Sequence, residues 1–473
     1  MNIVGRKKEQ QLLQHCLESK RPEFLAVYGR RRTGKTYLIR EYFRNQFAFY
    51  ATGVANAARK QQLAVFHDTL KKYGDTQRGC PKNWIEAFSR MRDLLEAGPV
   101  RRDALTGKRI VFLDELPWMD TARSDLKTGL EYFWNSWGSS QPDLLLIVCG
   151  SASSWIINNV LGDTGGLYNR ITRKMQLRPF TLRECQELCM ANGIHMNRQQ
   201  ILDSYMVFGG IPYYLNMLDD RLSLPQNIDE LLIQEEGELH YEYDRLLSSL
   251  YRNASIHHRI IEALSTRRYG YTRSELLAMT DLNSGAQMTT ALTELEQCGF
   301  IRHYKTTDSS RQGFLYQIID PYTLFYFTYL KEDKVRSWMK YINTPGYHAW
   351  CGNTFEILCL NHVAQIKEAL GISGVETREY TWRSRKSSPG AQIDLLIDRD
   401  DGVIDLCEMK YSTEEYVIDA LYERELLHKM HVYQDETQVR KSVHITLITV
   451  NGLKRNEHAG VVQNVITAED LFR

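Results

Sequence analysis

Short apolar runs alternate with helical stretches through the first 180 residues of the chain. That alternation is the pattern of a parallel sheet whose strands are joined by crossover helices. The expected strands are Phe24–Tyr28, Phe47–Tyr50, Ile110–Asp114 and Leu144–Cys149. From Thr181 to about Glu235 the spacing is helical, interrupted by Gly209-Gly210-Ile211-Pro212. Residues 250–320 predict three helices and then two strands with a polar tip, Thr306 to Gly313, between them, the order of a winged helix. From about Gly346 the chain predicts a helix, a hairpin, a second long helix and a closing strand, Val443–Val450.

Length agrees with this division, because 473 residues exceed what one hydrophobic core holds. Hydrophobic residues make up 43% and charged residues 25%, the balance of an ordinary globular protein. Lys and Arg number 59 against 58 for Asp and Glu, a net charge of +1. Contact with nucleic acid would therefore need a local basic patch, since no global positive field exists. The nine cysteines are scattered from Cys16 to Cys407 without a C-x-x-C pair, so reduced thiols are expected rather than a zinc site or disulfide framework. The opening residues lack the apolar stretch of a signal peptide, and runs such as Leu144–Cys149 are too short to span a bilayer. A soluble cytoplasmic protein is expected.

The first chemistry lies just after the first strand. Gly29-Arg30-Arg31-Arg32-Thr33-Gly34-Lys35-Thr36 fits G-x-x-x-x-G-K-[ST], with a helical segment, Tyr37–Phe43, behind it. In such a loop the glycines let the backbone wrap phosphates, and N–H groups at the helix start point at them. Lys35 is expected to reach the β- and γ-phosphates of ATP, and the Thr36 hydroxyl to ligate Mg²⁺. Ile110–Glu115 is an apolar strand ending in two acids. Asp114 takes the place of a carboxylate that holds the magnesium shell, and Glu115 that of a base polarising the attacking water. Ser151, after the next strand, is a candidate sensor of the γ-phosphate. Arg170 and Arg173 follow a glycine-rich turn, Gly162 to Gly166, and are candidate arginine fingers.

Asn2-Ile3-Val4-Gly5-Arg6 with Glu9, the P-loop, Leu113-Asp114-Glu115, Gly150-Ser151, Leu167-Tyr168-Asn169-Arg170 and Gly209-Gly210-Ile211-Pro212 together resemble the archaeal-type ATPase family. That family stands among the AAA+ and STAND-related P-loop proteins. The resemblance covers about the first half of the chain. It implies that Val4, Gly5 and Arg6 approach the adenine and that the Gly-Gly-Ile-Pro turn opens a helical lid. Gly209–Tyr214 departs from the AAA+ pattern, because it holds no arginine that could act as a second sensor.

The winged-helix segment reads poorly as a DNA binder. Its third helix, about Ser284 to Cys298, has no Lys or Arg and carries Glu294 and Glu296, whereas DNA phosphates demand cations. The wing offers only Arg302, Lys305 and Arg311. A packing or regulatory role is the expectation.

In the last segment, two apolar strands flank Asp400-Asp401-Gly402, a three-residue hairpin loop with glycine at its left-handed position. That loop pairs Arg399 with Val403, and counting outward sets Asp394 opposite Glu408, with Lys410 on the same face. An acid on one strand and Glu-x-Lys on the next resemble the PD-(D/E)XK nuclease superfamily. The resemblance implies that Asp394 and Glu408 hold Mg²⁺, that Lys410 steadies the attacking water, and that Glu356 is the superfamily's helix acid. Arg378, Arg383, Arg385 and Lys386, interleaved with Tyr380 and Trp382, form a basic-aromatic patch that a strand of nucleic acid could follow.

The expectation is an α/β multidomain chain. It comprises a P-loop ATPase core (1–180), a helical lid (181–249), a winged helix (250–330) and a restriction-endonuclease-like domain (331–473). Such a chain would couple ATP to a metal nuclease acting on DNA or RNA, as a homo-oligomer or with a protein partner. The alternative is a regulatory switch whose last two modules bind proteins and cleave nothing.

Overall fold

A computed structural model describes residues 3–151, 153–161, 170–251, 254–282, 285–305, 314–342, 344–384 and 389–473. Asn2, Gly162–Gly166, Leu167–Asn169, Ser284, the tip Thr306–Gly313 with Arg311, and Arg385 and Lys386 lie outside them, as does the side chain of Lys305. The chain divides into two compact units, Met1–Pro179 with Leu246–Ala254, and Phe180–Arg245 with Ser255–Arg473.

The first unit is built on strands β1 (Glu23–Gly29), β2 (Phe49–Thr52), β3 (Arg109–Asp114), β4 (Leu144–Gly150) and β5 (Arg173–Leu177). They form one sheet in the order β2-β3-β4-β1-β5, and every pair in it is parallel. All of β3 and β4 is buried, which explains their unbroken apolar sequences: a parallel sheet covered on both faces has no side to leave polar. Alternate residues of β1 feed two cores, Phe24 and Ala26 on one face, Leu25 and Val27 on the other. β5 has no counterpart among the expected strands. As an edge strand it buries only Met175 and Leu177, so Arg173-Lys174-Met175-Gln176-Leu177 carries too little apolar signal. The strand order brings the carboxyl ends of β3, β4 and β1 side by side, where Asp114, Gly150 and Gly29 end their strands.

The second unit begins with helices Leu182–Ala191 and Arg198–Phe208. Gly209 ends the latter at φ 70°, and Gly210 follows at φ 66°. A Cβ on Gly210 would lie 2.4 Å from the Phe180 carbonyl oxygen, which accepts no side chain there. Next come helices Ala254–Ser265, Arg273–Thr280 and Gly285–Gln297 with strands β6 (Tyr271–Thr272), β7 (Ile301–Lys305) and β8 (Phe314–Ile318). These strands form an antiparallel sheet ordered β6-β8-β7. Glu294 pairs with His257 at 2.6 Å and Glu296 with His303 at 2.6 Å, so both acids of the third helix are engaged within the segment.

The last sheet contains β9 (Thr377–Arg383), β10 (Gln392–Arg399), β11 (Val403–Lys410), β12 (Ser442–Thr449) and β13 (Asn464–Ile466), ordered β13-β12-β11-β10-β9. Helix Pro345–Asn361 precedes it, and helix Ala420–Thr437 crosses from β11 to the parallel β12. Eight of the nine free cysteines are buried; Cys80 is exposed. Among the described residues no helix is long and apolar enough to cross a membrane.

Helix Arg198–Phe208 is tied to the chain just beyond β11. Asp203 Oδ1 accepts from Gln199 Nε2 (3.0 Å) and from the Tyr411 hydroxyl (3.2 Å). Burial raises the Asp203 carboxyl from its ordinary 3.8 to about 6. A raised value favours the folded state while the group is protonated, so that contribution is full below about pH 4 and lost as pH rises through 6. Asp203→Asn should therefore raise stability by about 1–3 kcal/mol at pH 8 and change it little at pH 4. Urea midpoints across that pH range would check this, and an equal effect at both ends would refute it.

Candidate functional site

The P-loop turns on positions that only particular residues tolerate. Gly29 leaves β1 at φ 143°, and a Cβ there would lie 2.2 Å from the Leu177 carbonyl oxygen. Arg32 (φ 71°) and Gly34 (φ 87°) are both left-handed, and Gly34 caps helix Lys35–Tyr42. Successive turns of this kind aim backbone N–H groups toward one concavity, which suits an anion. Lys35 is buried, and its Nζ donates to the carbonyls of Gly29 and Arg30 at 2.8 Å each, which holds the ammonium across the loop. Thr33 Oγ1 donates to the Arg30 carbonyl (2.8 Å) and stiffens the same turn; Arg30 is buried and Arg31 half-buried. Gly5 (φ 61°) and Arg6 (φ 55°) make a left-handed turn after Val4. From it the buried Arg6 donates Nη2 to the Thr33 carbonyl at 3.1 Å, which docks the N-terminal segment on the P-loop.

At the end of β3 the Thr36 hydroxyl donates to both Asp114 oxygens, at 3.1 and 2.9 Å. Burial first, and the charge of Glu115 second, push the Asp114 carboxyl above its ordinary range, with Thr36 pulling it back. Mg²⁺ on a nucleotide typically takes one or two protein oxygens, its remaining ligands being phosphate oxygens and water. A hydroxyl and a buried carboxylate converging this closely fit that need.

Glu115 adopts φ 45°, ψ 44°, a conformation that turns its side chain away from the strand direction. Its carboxylate receives the Ser151 N–H (3.2 Å) and the Ser151 hydroxyl (2.9 Å to one oxygen, 3.2 Å to the other). The serine expected to meet a γ-phosphate thus holds the acid expected to act as base. Arg170 lies exposed in the turn before β5. Arg173 does not reach the loop end of the sheet. It opens β5 opposite Leu25, four positions from Gly29, with Nε 4.0 Å from Glu23 Oε2.

In the last sheet the β10/β11 register runs Leu395 to Cys407, Leu396 to Leu406, Ile397 to Asp405 and Asp398 to Ile404. This is the register counted from the hairpin loop, where Gly402 has φ 90°, and it runs as far as Leu395; between Ile393 and Leu396 the strand is bulged, and both of these residues enter one core with Leu406. The cations around these acids come from elsewhere in the unit. Arg268 donates Nη1 to Asn353 Oδ1 (2.7 Å), pairs with Glu356 through Nη2, and stands 3.8 Å from Asp394 Oδ2. Gln392 Nε2 donates to the other Asp394 oxygen at 2.8 Å. Glu408 takes Lys429 Nζ at 2.9 and 3.0 Å and has Lys410 Nζ at 3.4 Å. Lys410 also lies 4.9 Å from the Tyr422 ring centroid. Burial, then the neighbouring Asp394, push the Glu356 carboxyl up to about 8.

Each acid is therefore matched by a cation of the protein. Among the described residues no group of three His, Cys, Asp or Glu is arranged to hold a metal ion. As they stand, Glu356, Asp394 and Glu408 fit a guanidinium and ammonium groups, not a divalent metal. Neither Arg268 nor Lys429 was found from the sequence, because each meets its acid across many residues and sits in no motif.

A parallel sheet whose first strand runs into a phosphate-binding loop, with an acid pair on the strand two places away, defines a P-loop NTPase. Residues 3–218 match the family model of an ATPase domain predominantly from Archaea, so the chain carries an archaeal-type ATPase domain. It is 25% identical over 333 residues to an uncharacterized protein of Methanocaldococcus jannaschii, covering 69% of each chain. Among solved structures it is similar to a Walker-type ATPase of Pyrococcus abyssi (18% identity, 69% of this chain and 96% of that one, TM-score 0.46). It is also similar to the ORC2 protein of Aeropyrum pernix (14%, 70% and 95%, 0.39).

Proposed function

We propose that this chain hydrolyses ATP at the P-loop and uses the nucleotide state to control a nuclease-like domain, residues 331–473, that acts on nucleic acid. In the ATPase step Lys35 would exchange the Gly29 and Arg30 carbonyls for phosphate oxygens. Glu115, oriented by Ser151, would take the proton of the attacking water. Thr36 and Asp114 would hold a magnesium ion, which neutralises charge on the phosphates. Val4, Gly5 and Arg6 would face the adenine. Arg170, exposed in its turn, would serve as an arginine finger toward a neighbouring copy in a homo-oligomer.

The observation that carries the nuclease part is the gathering of Glu356 and Asp394 around Arg268, with Lys410 Nζ 3.4 Å from Glu408 on the neighbouring strand. Cleavage would require Arg268 and Lys429 to release those acids, and release is the step we assign to nucleotide control. The same ion pairs favour a second reading, a regulatory switch in which the 250–330 segment and the last domain are protein-interaction modules.

Purified protein on single- and double-stranded DNA and RNA, with Mg²⁺ or Mn²⁺ and with or without ATP, separates the two. Asp394→Ala should abolish cleavage and leave basal ATP hydrolysis within about twofold, since it removes none of the groups assigned to the ATP site. Cleavage that ignores both ATP and Lys35→Ala would mean two uncoupled domains. No cleavage under any condition would favour the switch.

A further inference from the structure

A cavity of about 380 Å³ opens between the β6-β8-β7 sheet and the β9 edge of the last sheet. Its lining includes three guanidinium groups, Arg267, Arg302 and Arg383, and three carboxylates, Glu275, Glu356 and Asp394. Most of these charges are already matched. Arg267 pairs with Glu275 at 2.8 Å, and Arg268 serves Glu356 and Asp394 together.

With Arg268 counted beside the wall, four guanidinium groups stand against the three carboxylates. Arg302 donates Nε to Gln317 Oε1 (2.9 Å) and packs 5.0 Å from the Tyr304 ring centroid, and among the described residues it makes no ion pair. Burial lowers its guanidinium to about 10, so it stays charged at neutral pH. Arg383 closes β9, exposed, opposite Gln392. Asp394 and Glu356 act on Arg302 only through space and are themselves held by Arg268, so a closer anion would be favoured beside this half-buried guanidinium. Arginine's planar fork matches phosphate oxygens two at a time.

Inorganic phosphate would leave most of the volume empty, which falls within the range of sites for organic ligands. Tyr269 and Tyr304 add ring surface to the same wall, which suits a flat heterocycle. We infer that this cavity binds one phosphate-bearing nucleotide unit, with Arg302 and Arg383 on the phosphate and Tyr269 and Tyr304 against the base. The unit is either a residue of a single strand or a free nucleotide. The inference deepens the nucleic-acid reading above by naming what the C-terminal domain holds.

The test uses the full chain carrying Lys35→Ala, so that the P-loop does not compete, in EDTA. Fluorescein-labelled hexathymidylate is followed by anisotropy, with thymidine 5′-monophosphate and thymidine as competitors. Arg383→Ala should weaken binding about tenfold and Arg302→Met at least as much. Thermal melts would check the fold of the Arg302 variant, while exposed Arg383 gives an answer free of that concern. The monophosphate competing strongly assigns the pocket to free nucleotides; the oligomer binding without such competition assigns it to a strand. Unchanged affinity in both variants, or thymidine competing as well as its monophosphate, overturns the inference. Arginine-dependent binding without cleavage in any metal would leave the pocket standing and remove the nuclease. Cleavage with arginine-independent binding would do the reverse.

Discussion

Lys35→Ala should reduce ATP turnover by at least roughly 10²–10³-fold and weaken nucleotide binding as well. The ammonium is buried and fixed by two loop carbonyls, so its charge stands at the centre of the turn before any phosphate arrives. Alanine removes that charge and leaves the two carbonyls of Gly29 and Arg30 facing the phosphates, which they repel. Binding by calorimetry and turnover by phosphate release should fall together. Normal turnover would mean that hydrolysis happens somewhere other than this loop.

Glu115→Gln should separate those two quantities. Glutamine keeps the length of the side chain, and its amide oxygen still accepts from Ser151, so the left-handed turn at Glu115 has no reason to change. Thr36 and Asp114 are untouched. ATP should bind with little loss, while turnover falls by roughly 10²–10⁴-fold, the usual share of a general base. Ser151→Ala, which frees the acid without removing it, should give a smaller fall. If Glu115→Gln hydrolyses at the wild-type rate, the base lies elsewhere.

What the sequence made legible was local. β1, β3 and β4 are unbroken apolar runs because both sheet faces are covered, and each ends in a residue whose chemistry stands out. The β10/β11 register followed from Asp400-Asp401-Gly402, since a short loop fixes which residues face each other. The hidden features depend on distant partners. Arg268 meets Glu356 from 88 residues away, and Lys429 meets Glu408 from 21. The grouping of Phe180–Arg245 with the C-terminal part was equally hidden. One of its bonds runs from the Leu182 N–H to His362 Nε2 (3.0 Å), a histidine that burial keeps neutral by lowering it to about 4. No spacing rule encodes a pair 180 residues apart.

The bond between Asp203 and Tyr411 has a mechanical consequence. Tyr411 follows Lys410 directly, so the lysine of the acid-bearing hairpin is one peptide from a residue hydrogen-bonded to helix Arg198–Phe208. Peptide units are stiff, and one link allows little slack. A helix that rotates about its axis must either break this bond or drag the end of β11 with it, and Lys410 would then swing relative to Glu408. Under such a rotation the pair would act as a crank, turning small angular travel at Asp203 into lateral travel of the ammonium group one residue away.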